Sequence, residues 1–311
     1  MTEIALQTEH LTKHYGNRTA VDDLSLEVHE GEIFGLLGPN GAGKTTSINM
    51  LCGLLKPDSG RVLLHGKTIT KGDSGMRAKV GVCPQHIVLW NTLTCLEQMQ
   101  FIGEMYGIGR AQARRRSEQL LAELDLSEKK NKLARTLSGG MQRRLNLAMG
   151  LVHDPEILVL DEPEAGLDPQ SRVMLREYVK TLGRDKTIIL TTHNMDEADR
   201  MATRVAIIDH GRLLTVDTPE ALKSKVGEGD VLEIELNEDI LERATSAVAS
   251  ITPNAVTIDH TLVIRARGMV DLLPAILNAL SGIDAQPQEV RLRENSLEDV
   301  FISLTGRRLR E

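Results

Sequence analysis

The chain has 311 residues, 41% of them hydrophobic and 26% charged, with a net charge of −7. That composition is ordinary for a globular protein and excludes a disordered or fibrous chain, and the length points to two domains. No apolar stretch approaches the ~18–20 residues needed to cross a bilayer; Met1-Thr2-Glu3-Ile4 offers neither a basic nor an apolar leader, so the chain is expected to stay in the cytosol.

Residues 1–65 alternate polar and apolar side chains, with Val21, Leu24, Leu26 and Val28 near strand spacing. Ile33-Phe34-Gly35-Leu36-Leu37 is a continuous apolar run, as suits a buried strand of a mostly parallel sheet. It leads into Gly38-Pro39-Asn40-Gly41-Ala42-Gly43-Lys44-Thr45-Thr46, after which Ile48, Met50, Leu51 and Leu54 have helical spacing. Strand, glycine-rich loop and helix form the setting of a phosphate-binding loop. Backbone N–H groups from Gly38 through Asn40, Gly41 and Gly43 to Thr46 are expected to face phosphates. Lys44 contributes a point charge to the β- and γ-phosphates, and the Thr45 hydroxyl is a candidate ligand for Mg2+.

Between 93 and 150 apolar residues recur at three and four, which predicts a helical insertion. Within it Ser138 stands at an N-cap ahead of the Leu145, Leu147, Ala148 and Leu151 helix. Gly139 and Gly140 each weaken the first turn by ~1 kcal/mol relative to alanine, which makes sense where a phosphate must approach the backbone. Strand runs return at 157–160, 187–192 and 205–208, with helices at about 170–182 and 195–202. The run at 157–160 delivers Asp161 and Glu162 to its C-terminal end, where open α/β sheets bind ligands. Asp161 is the expected Mg2+ ligand and Glu162 the general base for an attacking water.

Leu137-Ser138-Gly139-Gly140-Met141-Gln142 strongly resembles the LSGGQ-type signature of the ATP-binding cassette (ABC) ATPases, with Met141 in the glutamine's place. The resemblance covers residues 4–220. It implies that Tyr15 stacks on adenine and that Gln85 senses Mg2+ and the γ-phosphate and couples to a membrane subunit. It further implies that Asp168 sits in a loop crossing a dimer interface and that His193 is a switch contacting the γ-phosphate. Catalysis then falls to Glu162, His193 and Lys44, with ATP bound and Mg2+ held by Thr45, Gln85 and Asp161. Two copies would pair head to tail, Ser138, Gly139 and Gly140 completing the partner's site. One departure is Glu164 in Pro163-Glu164-Ala165-Gly166, where the family usually has threonine; an acid there is expected to weaken dimer closure.

The expected fold is α/β: a P-loop cassette over 1–226, with a helical subdomain at about 93–150, and a small α+β domain over 230–311. The boundary is a change in charge. From Glu228 onward there are 15 acidic residues, 8 arginines and no lysine, whereas residues 1–227 carry 29 acids and 29 bases. Strands at 231–236, 255–258, 262–267 and 289–292 with helices at 239–250 and 270–281 give the ferredoxin-like order, closed by a helix at 296–305. This domain is expected to hold two cassettes together.

Ser296-Leu297-Glu298-Asp299-Val300-Phe301-Ile302-Ser303-Leu304-Thr305-Gly306 resembles the LEDVFLxLTG ending of ATPases from daunorubicin-resistance-type exporters. That resemblance implies an ATPase at the cytoplasmic face of the membrane, driving a separate integral permease that exports a drug, antibiotic or lipid-like molecule. The alternative is a soluble cassette remodelling a ribosome or nucleic-acid complex, which should show a basic surface or a second cassette. With seven aromatic residues and no basic excess, nucleic acid is not an expected partner. Arg114-Arg115-Arg116 reads as a solvated helix face. Cys52, Cys83 and Cys95 read as buried hydrophobes, and no histidine spacing suggests zinc.

Overall fold

A computed structural model describes residues 3–69, 75, 78–226, 230–253, 255–258 and 260–306. Two compact units divide between Thr218 and Pro219. The division precedes the compositional boundary because helix Pro219–Val226, which carries Lys223 and Lys225, belongs to the second unit. Charge counting assigned those lysines to the neutral part.

The first unit is built on a six-stranded sheet: β3 (Ile33–Leu37), β6 (Val80–Cys83), β7 (Ile157–Asp161), β8 (Thr187–Thr192), β9 (Arg204–Asp209) and β10 (Arg212–Asp217), ordered β10-β9-β3-β8-β7-β6. All pairs are parallel except β9–β10. Every residue of β3, β7 and β8 is buried, which explains their continuous apolar character. Register aligns Leu37 with Thr192, Thr191 with Asp161, and Leu160 with Cys83, so four strands end along one edge. A separate antiparallel sheet combines β1 (Ile4–Tyr15), β2 (Arg18–His29), β4 (Ser59–Leu64) and β5 (Lys67–Thr68) in the order β2-β1-β4-β5.

The helical insertion comprises α2 (Cys95–Met105), α3 (Arg110–Glu123) and α4 (Gly139–Leu151), following α1 (Lys44–Leu51). Thr94 and Glu97 form a reciprocal capping box that starts α2. Met99, Leu121 and Leu145, one from each helix, are fully buried in a shared core. Arg116 departs from the solvated-face expectation, donating to Asp154 at 2.7 Å and to the Leu151 carbonyl at 3.3 Å. All three cysteines are buried and free.

In the second unit β11 (Asp230–Glu235), β12 (Val256–Ile258), β13 (Thr261–Ala266) and β14 (Glu289–Glu294) form an antiparallel sheet ordered β12-β13-β11-β14. Leu232, Ile234, Leu262 and Ile264 pack with Leu241, Ala244 and Val248 of helix Leu241–Val248 and Ile276 and Leu280 of helix Met269–Ser281. The Ser296–Asp299 segment has a structural role. Asp299 is 1% exposed and closes a capping box with Ser296 at the start of helix Leu297–Thr305. Its carboxylate also accepts from Arg265 at 2.9 Å and from Arg293 at 2.5 and 3.0 Å.

Those partners outweigh the cost of burial and hold the Asp299 carboxyl well below the usual carboxylate range. Asp299→Asn should therefore cost about 3 kcal/mol, because two arginines lose a buried partner. Hydrogen exchange on the full chain should show amide protection falling across 230–306 while 3–218 is unchanged. In the wild type, that contribution should be present at neutral pH and disappear as pH falls below about 4, where the unfolded carboxylate takes up its proton. Unchanged protection in Asp299→Asn would remove the residue from this role.

Candidate functional site

The phosphate loop leaves β3 at the centre of the sheet and turns into α1. A Cβ on Gly38 would stand 2.3 Å from the Ile208 carbonyl oxygen, and one on Gly43 2.4 Å from that of Ala20, so neither position tolerates a side chain. Gly43 caps α1 without a side-chain hydrogen bond, leaving the first-turn N–H groups to an outside acceptor such as a phosphate. Lys44, only 5% exposed, donates to the carbonyls of Gly38 at 2.7 Å and Pro39 at 3.2 Å. Burial lowers its pKa, against the opposing pull of Glu162.

The end of one strand, β7, supplies both acids, and its neighbour β8 supplies the threonine that holds them. Asp161 ends β7 and accepts from the Thr191 hydroxyl at 2.5 Å. Glu162 follows in a left-handed conformation, φ 45°, uncommon for a non-glycine residue. Its N–H donates to the Thr191 carbonyl and hydroxyl at 3.1 and 3.0 Å. This backbone turn aims the carboxylate at Lys44, whose Nζ lies 3.4 Å from Oε1. On the other oxygen, Oε2, converge His193 Nδ1 at 2.9 Å and Gln85 Nε2 at 3.4 Å. Glu162 is thus fixed by three groups from three segments.

A cleft of about 450 Å³ opens over this arrangement. Tyr15, at the end of β1 and 53% exposed, forms one wall, and Asn40, Gly41, Gly43, Lys44, Thr45 and Thr46 line the floor. Gln85 and Glu162 close the far side. Asp161 and His193 are not among its lining residues: His193 is hydrogen-bonded to Glu162, which is, and Asp161 to Thr191 beneath it. Arg18 and Ala20 also line the cleft, and neither had been expected from sequence. Arg18 donates to the Gly41 carbonyl at 3.3 Å, which puts a guanidinium between Tyr15 and the loop. Thr191 was likewise missed; a hydroxyl in an otherwise apolar buried run was the available signal.

The oxygen donors fit Mg2+. Thr45 offers a hydroxyl, Gln85 an amide and Asp161 a carboxylate, the hard ligands that this ion takes together with water and phosphate oxygens. Among the described residues no cluster of three or more His, Cys, Asp or Glu is arranged to hold a metal alone. Such a cation would share its coordination with substrate.

Ser138, Gly139, Gly140 and Asp168 do not line this cleft. Ser138 caps α4, accepting from the Met141 N–H at 3.3 Å. Asp168 caps α5 (Pro169–Leu182), accepting from the Ser171 hydroxyl at 2.6 Å. The two caps adjoin: a Cβ on Gly140 would lie 2.8 Å from Ser171 Oγ. A side chain at Gly140 would thus press on Ser171, whereas Gly139 has nothing within 4 Å and stays open to a ligand.

Glu164, the acid in place of the usual threonine, is buried. Its carboxyl is 7% exposed and takes a short hydrogen bond from the Thr192 hydroxyl, with Oε2 buried and without a partner. Burial pushes its pKa up.

Beside the segment that carries Gln85 lies a second cavity, of about 480 Å³, walled by Val88, Trp90, Phe101, Met105 and Tyr106. These apolar side chains are 41–71% exposed. Trp90 meets Phe101 edge-on at 5.4 Å, and Tyr106 stacks on His153 at 3.8 Å.

Comparison with known proteins gives a consistent picture. The family model described as ABC transporter matches residues 21–165. The chain is 36% identical to the daunorubicin resistance ATP-binding protein DrrA3 of Streptomyces coeruleorubidus, over 100% of this chain and 99% of the relative. It is 41% identical to the Nod factor export ATP-binding protein I of Ralstonia nicotianae, over 98% of this chain and 95% of the relative. Among solved structures it is similar to a dimeric post-hydrolysis state of the ATP-binding cassette MJ0796 bound to ADP and Pi. There the TM-score is 0.63 at 26% identity, covering 68% of this chain and 98% of that one.

Glu164→Gln keeps the side chain's shape and removes a charge that burial disfavours. An acid whose folded pKa is raised loses stability as pH rises through that value, so the variant should melt higher than wild type at pH 8. The expected gain is about 1 kcal/mol, or ~2–4 °C, with no difference near pH 4. A lower melting temperature at pH 8 would mean that the ionised carboxylate is stabilised.

Proposed function

The chain belongs to the ATP-binding cassette transporter family, and from that membership we propose that it is the hydrolytic subunit of an exporter, working on a separate membrane permease. It binds and hydrolyses ATP. The observation that carries the site assignment is the meeting of Tyr15, the phosphate loop, Gln85 and Glu162 in one cleft. Adenine stacks on Tyr15. The loop N–H groups, the start of α1 and Lys44 bind the phosphates, while Thr45, Gln85 and Asp161 hold Mg2+, which neutralises phosphate charge when bound. Glu162 accepts the proton of the attacking water. His193 orients Glu162 through Nδ1, leaving Nε2 for the γ-phosphate.

The signature residues lie apart from their own chain's cleft, which supports a head-to-tail pair in which each Ser138–Gly140 turn completes the other copy's site. We assign the second unit to keeping that pair together. Its edge strand β14 leaves Val290 and Leu292 40% and 43% exposed, beside a Glu289–Arg291 ion pair of 2.6 Å within the strand. The Asp299→Asn chain should then also contain less dimer.

No described helix is long and apolar enough to cross a membrane. Attachment at the cytoplasmic face runs through the permease, and the exposed apolar cavity around Trp90 and Phe101 is its docking place, adjoining Gln85. The exported substrate is a drug, antibiotic or lipid-like molecule, in keeping with relatives named for daunorubicin resistance and Nod factor export.

Glu162→Gln should lose at least ~100-fold in turnover, as removal of a general base does, and accumulate an ATP-bound dimer on size exclusion, whereas Lys44→Ala should lose nucleotide binding. A Glu162→Gln enzyme as active as wild type would end the general-base assignment. Met105→Glu, placing a charge at the most exposed apolar position of the second cavity, should abolish copurification of a polytopic membrane protein while leaving basal ATPase activity intact. Undiminished copurification would relocate the docking surface.

A further inference from the structure

Arg143 lies in α4, five residues after Ser138, or ~7.5 Å along a rigid helix. It is 2% exposed, yet the groups it meets are backbone carbonyls and not carboxylates. All five of its N–H groups are used. Nε donates to Pro163 at 2.9 Å, Nη1 to Pro84 and Gln85 at 2.9 and 2.8 Å, and Nη2 to Asp161 at 3.1 Å and to Glu162. Pro84 and Gln85 leave β6, while Asp161, Glu162 and Pro163 leave β7. One guanidinium therefore ties the signature helix to the segments that carry two groups of the cleft.

The connection reaches the reacting side chain through its backbone. Glu162 is held at positive φ by Thr191 on its N–H and by Arg143 on its carbonyl. That conformation directs the carboxylate to Lys44 and His193. We propose that Arg143 is a positioning residue that couples the signature turn to Glu162 and Gln85 of its own chain. Engagement of Ser138 and Gly139 by the partner's nucleotide displaces α4, and the guanidinium carries that displacement to the Gln85 and Glu162 carbonyls. Each site is thereby informed that the other is occupied. Only arginine offers five donors in a planar fork; lysine has three on a single atom and cannot span both segments. The proposal rests on Glu162 being the general base.

The test compares full-length Arg143→Lys and Arg143→Gln with wild type and Glu162→Gln. Coupling predicts an ATP dissociation constant within twofold of wild type, retained ATP-driven dimer, and a kcat at least tenfold lower at nearly unchanged KM. The Hill coefficient for ATP should fall towards 1. A kcat within twofold of wild type overturns the proposal. So does a fall in kcat accompanied by equal losses of ATP binding and thermal stability, the mark of a residue needed only for folding. A measurement without substitution at 143 guards against misfolded variants. In the Glu162→Gln chain the Arg143 Nε–H resonance should shift when ATP drives pairing, and a stationary signal also overturns the coupling. Wild-type turnover in Glu162→Gln would instead remove the general-base reading, a failure visible without reference to Arg143.

Discussion

Parallel pairing of β3, β8, β7 and β6 brings Leu37, Thr192, Asp161 and Cys83 to one edge of the sheet, and the chemistry follows from that alignment. The strands carry few polar groups, and those that β7 and β8 do carry at this end, Asp161, Thr191 and Thr192, are buried. The loops that follow must therefore hold the phosphate-binding turn, His193, Glu162 and Gln85. Burial on both faces helps to fix the register, since slipping any strand would break the close packing of side chains that fill both layers. The precision of the site is thus inherited from hydrophobic packing some distance below it.

That edge concentrates charge under difficult conditions. Lys44, Asp161, Glu162 and Glu164 are all at most 7% exposed, and three carboxylates face one ammonium. Such a cluster survives only if each acid is hydrogen-bonded or neutral. Thr191 serves Asp161, while Gln85, His193 and Lys44 serve Glu162. Glu164, with one oxygen lacking a partner, is the acid whose pKa burial raises. Burial and the neighbouring Glu162 carboxylate both disfavour a charge on Glu164, while the Thr192 hydroxyl meets one of its oxygens.

The sequence displayed what is contiguous and chemically obligatory. The phosphate loop, the acids after an apolar run and the capped glycine turn each occupy a few adjacent residues, and periodicity located their strands and helices. Less legible were groups whose role depends on contacts between distant segments. Thr191 and Arg143 sit in runs where a polar residue has many bland explanations, and their partners are 18 to 59 residues away in the chain. The burial of Glu164 was not legible either, because its contact with the Thr192 hydroxyl spans 28 residues of chain. The unit boundary was missed because a charge count cannot see that helix 219–226 packs with the later residues.

The polar groups also bear on the proposal that one chain holds parts of two sites. Ser138 and Asp168 serve as caps, satisfying helix ends that any fold must satisfy, and they adjoin through Gly140 and Ser171. Neither cap needs a nucleotide to form. What the local fold does not require is Gly139, which is open on the side away from the protein and costs the helix ~1 kcal/mol relative to alanine. A residue that weakens its own helix without relieving any contact inside the chain makes sense when its bare backbone meets something from outside. In the head-to-tail pair proposed above, a twofold axis would bring each open turn to the other copy's phosphate loop, an isologous arrangement that closes after two copies. On that proposal, a single glycine that its own fold does not need would contribute to association as much as any apolar surface.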